Sequence, residues 1–111
     1  MLVKIARDFT TKPGGRYIEE GAYSGELFRD RLVYPALLKV LKQNQRLVID
    51  FDGCYGFETS FLEEAFGGMV RKYGIIGLLK SITLVSTEDE TIPGLIRSEE
   101  RRVGKEGRSR W

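Results

Sequence analysis

At 111 residues the chain has room for one domain built around one layered core. It carries no histidine and one cysteine, which takes His-dependent triads, His-ligated metals and an internal disulfide out of its chemistry and fits a reducing, cytoplasmic compartment. The net charge of +2 divides unevenly: residues 97–111 hold six Lys/Arg against three Glu, and residues 1–96 hold 12 against 13 acidic residues, so any nucleic-acid reading would rest on the tail and none is expected of the rest.

In chain order, LVKIARDF (2–9) reads as a half-buried strand, with no secretory pattern at the start. TTKPGGRY breaks it: Pro13 fixes its own φ and Gly14-Gly15 permit positive φ. Gly14, Gly15 and Arg16 form a candidate anion-binding nest, although the spacing of a P-loop is absent. A second loop, EEGAYSGE, leads to Ser24, which is placed to cap a helix over 26–43 with Leu27, Phe28, Leu32, Val33, Leu37, Leu38 and Leu41 near helical spacing. Pro35 must bend or divide that helix.

RLVIDFD (46–52) is a nearly unbroken apolar run and predicts a buried central strand. Asp50 and Asp52 share one face of it. With Glu58 they stand where α/β sheets place ligands, but no third recognisable metal ligand joins them and no metal or cofactor is expected. Cys54 has no histidine to activate it and reads as a small buried residue. After the loop GCYGFE, the residues Phe61, Leu62, Ala65, Phe66, Met69, Val70 and Tyr73 make an apolar stripe on a helix that Gly74 stops. Ser60 begins an S-x-x-E capping box with Glu63, with Thr59 as the other possible cap. Tyr55, Phe57, Glu58 and Phe61 are candidate partner-binding residues around that helix start. SITLVST (81–87) is a further strand, and EDETIPGLI opens a last helix. No apolar run approaches the ~20 residues of a membrane span. The order β–loop–α–β–α–β–(α) predicts an α/β domain.

The stretches DFTTKPGGRYIEEGAYSGELFRDRL and VIDFDGCYGFETSFLEEAFGG resemble the bacterial STAS-like domain family of unknown function, over about residues 2–95. By that resemblance the domain is similar to anti-anti-sigma factors, with a mixed sheet and helices packed against it. The resemblance implies a non-enzymatic, regulatory protein–protein interaction domain. In those factors a Ser/Thr after a strand is phosphorylated by an ATP-binding anti-sigma kinase. Carried over, the strand falls on Val48–Asp52, the acidic position on Glu58, the hydroxyl pair on Thr59-Ser60 and the phospho-acceptor on Ser60. Phe61 stands where that motif has glycine, and Leu62 keeps its leucine. The implied partner is an ATP-binding anti-sigma or histidine-kinase-like protein, docked on the 53–60 loop and the following helix start. The alternative is an anion, nucleotide or metal binder, or an enzyme, using Arg16 with Asp50 and Asp52.

The tail is of another kind. Arg97 through Glu106 match, residue for residue, the translation of a common sequencing adapter (AGA TCG GAA GAG CGT CGT GTA GGG AAA GAG). Arg108-Ser109-Arg110-Trp111 continue the match, and Gly107 stands where the adapter frame gives Cys. The domain is therefore expected to span residues 1–96, truncated near Ile96, with 97–111 a non-native addition excluded from fold reasoning.

Overall fold

Three short apolar stretches pair side by side in the computed structural model, which describes residues 1–74 and 80–108. They are β1 (Leu2–Lys4), β2 (Leu47–Asp50) and β3 (Ile82–Val85), in the order β1-β2-β3. Val3 lies opposite Ile49, and Ile49 opposite Leu84. The run chosen as the central strand is central, with Leu47 and Ile49 fully buried. The α/β architecture stands, but the described strands are parallel throughout, not mixed. Each connection between them runs through helix, the long crossover that parallel pairing requires.

The first strand is much shorter than the 2–9 expected. It ends at Lys4, whose amide donates to Asp8 Oδ2 at 2.9 Å, and α1 (Ile5–Asp8) turns the chain at once. Ile5 is thereby buried, and its carbonyl receives the amides of Phe9 and Thr10 at 2.9 and 2.8 Å.

The expected helix over 26–43 is one continuous helical segment: α2 (Gly25–Phe28), a π turn over Arg29–Val33, and α3 (Tyr34–Lys42). Ser24 caps it, its hydroxyl accepting from the Leu27 amide at 3.1 Å. In the π turn the Tyr34 amide reaches back five residues to the Arg29 carbonyl. Pro35 follows directly, where its missing N–H falls behind a turn already widened. A second segment is built the same way, from α4 (Thr59–Leu62), a π turn over Glu63–Gly67, and α5 (Gly68–Tyr73). Gly74 closes it at φ 68°, as expected of a C-cap, its amide donating to the Val70 carbonyl at 3.0 Å.

The two segments cross in near backbone contact. A Cβ on Gly25 would run into the Phe61 carbonyl, so only glycine fits there. Phe28 stacks on Phe61 with ring centroids 5.6 Å apart, and Phe9, Phe51 and Phe66 extend this aromatic core. Finally α6 (Ile92–Arg108) packs along the second segment through the buried Ile92, Ile96 and Val103. The adapter-like stretch thus continues a helix, and its residues 109–111 lie outside the described residues. No helix among the described residues is long and apolar enough to cross a membrane.

Candidate functional site

β2 delivers the chain to a loop in which Gly53 and Gly56 take φ of 91° and 152°, values open to glycine. The loop is fastened by its backbone: the Gly53 amide donates to Glu88 Oε1 at 2.6 Å and the Tyr55 amide to the Thr11 carbonyl at 2.8 Å. Tyr55 stands at its tip, 82 % exposed, with the Lys12 ammonium 5.4 Å from its ring centroid. Phe57 turns the other way, packing on Phe51 and Phe61 at 5.3 and 5.8 Å. Phe61 itself is fully buried. It belongs to the core, which corrects its expected place among the partner-binding residues: the first turn of α4 faces Phe28.

The helix starts two residues earlier than the Ser60–Glu63 capping box requires. Thr59 is already helical, and Glu58 is the N-cap, extended at φ −74°, ψ 142°. Its carbonyl accepts the amides of Phe61 and Leu62 at 3.1 and 3.3 Å. Ser60 therefore caps nothing, and its hydroxyl instead donates to Glu58 Oε2 at 3.5 Å. Burial of Phe61 and Leu62 fixes this register. Glu58 and Thr59 are exposed and Ser60 is partly so.

The glycine loop meets this same place. Gly15, at φ 86°, donates its amide to Glu58 Oε2 at 3.3 Å. Arg16 donates to Glu63 Oε2 at 2.5 Å and lies 3.8 Å from Glu64. The hydrogen bond to Glu63 tightens the guanidinium's hold on its proton. The loop is braced from behind by Gly14 to the Tyr23 carbonyl and by Gly25 and Glu26 to the carbonyls of Gly15 and Arg16, all at 3.0–3.1 Å. Two stretches 43 residues apart thus meet; of the expected nest, the Gly15 amide faces the chain's own Glu58 carboxylate, while the Gly14 amide is spent on the Tyr23 carbonyl.

The strand-end aspartates are engaged elsewhere. Asp50 Oδ1 accepts the Asp52 amide at 2.9 Å. Asp52 accepts the Thr87 hydroxyl at 2.6 Å and the amides of Thr87 and Glu88, each at 2.9 Å. The Thr87 hydroxyl, with those amides, holds Asp52 below the usual carboxylate range. This ties the ends of β2 and β3 together, while Glu58 faces Gly15. Among the described residues no three His, Cys, Asp or Glu side chains are grouped to hold a metal. Burial, with Glu88 and Asp50 adding to it, pushes the Cys54 thiol up to about 11, and its sulfur lies 3.5 Å from the Thr10 carbonyl.

A second charged group was not anticipated. Arg29, 3 % exposed, pairs with Glu64 in the facing π turn and also donates to the Glu64 carbonyl at 3.2 Å. Glu64 further receives Arg71 at 3.3 Å. At the outer edge Asp30 takes Arg29 at 2.9 Å, Tyr73 at 2.7 Å and Lys72 at 2.9 Å. Burial opposes ionisation of Asp30, but those three donors outweigh it and hold it far below the carboxylate range. The arrangement clamps the two helical segments together.

No curated protein and no solved structure matches the chain. The family model of the STAS-like domain of unknown function (DUF4325) matches residues 24–91, more than half of the chain, and the chain belongs to that family.

Proposed function

We propose that the chain is a regulatory docking domain that binds a protein partner through the 53–60 loop and the start of α4, and that phosphorylation at Ser60, with Thr59 the second acceptor, switches the affinity. The observation that carries this reading is the surface beyond β2. An 82 % exposed tyrosine and two accessible hydroxyls lie within six residues of one loop and helix start. Tyrosine supplies large contact area at low entropic cost. The strand-end carboxylates a metal or small-ligand site would need are engaged internally, Asp50 and Asp52 with amides and Thr87.

The partner is a protein kinase that uses a nucleoside triphosphate. Ser60 Oγ forms a bond to the γ-phosphorus as the bond from that phosphorus to the bridging oxygen breaks. The nucleoside diphosphate leaves, and the hydroxyl proton passes to a base of the kinase. The added charge of about −2 beside Glu58 and Glu63 then changes what the surface accepts. Cys54, half-buried with a raised pKa, takes no chemical part, and the domain acts without catalysis of its own in the cytoplasm of a bacterial cell.

Incubating the purified chain with lysate of its source cells and a nucleoside triphosphate, then mapping phosphate by mass spectrometry, tests the modification. Phosphate on the peptide carrying Thr59 and Ser60 is expected, and is lost in Thr59→Ala/Ser60→Ala. Phosphate found only elsewhere contradicts the reading.

A further inference from the structure

Glu58 Oε2 is shared. It accepts the Gly15 amide at 3.3 Å and the Ser60 hydroxyl at 3.5 Å, so one anionic oxygen bridges the glycine loop and the hydroxyl read above as the switch. Resting on that reading, we propose that the Gly14–Arg16 loop is the receptor for the phosphate on Ser60. The phosphoryl group takes the Gly15 amide from Glu58 and draws Arg16 from Glu63.

The geometry makes this exchange local. A phosphoryl group on Ser60 Oγ puts three acceptor oxygens where one carboxylate oxygen now bridges to the loop. Ser60, Glu63 and Glu64 lie at i, i+3 and i+4, on one flank of the helical segment. Arg16 already lies on that flank, so it needs to move by about one turn, ~5 Å. The groups facing the new charge are the Gly15 amide and Arg16 from the loop, and Glu58, Glu63 and Glu64 from the helical segment. Glu20, packed under Gly15, is spent on the Tyr17 amide at 3.0 Å. Glu58 is exposed and swings into water as the phosphate repels it. The dianion outcompetes a single carboxylate for a guanidinium with fork geometry. The loop carries the change onward, because the Gly15 and Arg16 carbonyls hold the amides of Gly25 and Glu26 at the start of α2.

The test uses the full chain with phosphoserine installed at position 60, in the natural sequence and in the Arg16→Gln and Glu58→Gln variants. NMR reads the Gly15 amide proton and the phosphorus titration. In the natural chain the Gly15 proton is expected to move downfield on phosphorylation. The phosphate should titrate about one pH unit below its ordinary value of about 6. Arg16→Gln should return most of that lowering. Glu58→Gln should keep the Gly15 shift and lower the titration further, which keeps the test alive should Arg16→Gln fail to fold. A Gly15 amide that stays in place with an ordinary phosphate titration, in both the natural chain and Glu58→Gln, overturns the receptor role. Partner binding separates the two failures. A partner that distinguishes the phosphorylated chain while Gly15 is unmoved sinks the loop alone, and a partner blind to phosphate sinks the underlying reading.

Discussion

Arg29 and Glu64 are fixed by each other, since neither has water to turn to. Removing Arg29 leaves the nearly buried Glu64 with only the half-exposed Arg71 and the more distant Arg16, and Arg29→Met is expected to destabilise the fold by about 3 kcal/mol. Replacing both, Arg29→Met with Glu64→Met, should recover most of that loss in urea denaturation. Asp30 gives the pair's outer edge a pH signature. Its carboxyl is held below its unfolded value of 3.8. Its contribution is therefore complete above about pH 4 and is lost as the pH falls further. A melting-temperature series from about pH 5 to pH 2 should fall more steeply for the natural chain than for Asp30→Asn. Cys54 gives a third check. With burial pushing its thiol up to about 11, it should alkylate about 10-fold more slowly at neutral pH than an unhindered thiol of ordinary pKa.

Helices show how far the residue pattern could be followed. The second apolar stripe recurs at 61, 65, 69 and 73 and again at 62, 66 and 70, a spacing of four. A regular helix of 3.6 residues per turn would carry that stripe off the core within three turns. The π turn over Glu63–Gly67 absorbs the excess residue and keeps Phe66, Met69 and Val70 inside. The same widening rotates Glu64 inward, which is why a 3.6-residue wheel leaves its pairing with Arg29 invisible. The strict period of four was the available signal. Ser24 and Gly74 were legible because their function is local, a cap and a left-handed turn. Ser60 fits a cap by local sequence alone but does not serve as one, because the helix register is set by burial of Phe61, a tertiary effect. Crossing at Gly25 makes a paired prediction. Gly25→Ala meets the Phe61 carbonyl and should cost about 1–3 kcal/mol. Gly94→Ala, with nothing within 4 Å of its Cβ position in α6, should gain up to about 1 kcal/mol. Thermal denaturation of both variants reads the contrast.

For the whole molecule, the α/β class and the central position of residues 46–52 were readable from apolar runs and their order. The joining of the Gly14–Arg16 loop to Glu58 was not. That contact spans 43 residues and leaves no trace in local spacing, so one composite site was met in the sequence as two. We also propose that residues 97–111 are foreign to the domain, although α6 continues into them and buries Val103. Re-amplifying the locus should return other codons after Ile96, and a genomic reading of RSEERRVGKEGRSRW would refute it. The most direct test of the docking account compares two baits in lysate of the source cells, the unmodified chain and the chain with phosphoserine at position 60. An ATP-binding protein kinase held by the first bait, lost from the second and lost again with Tyr55→Ala is the predicted result. Equal capture of the same proteins by all three baits would contradict it.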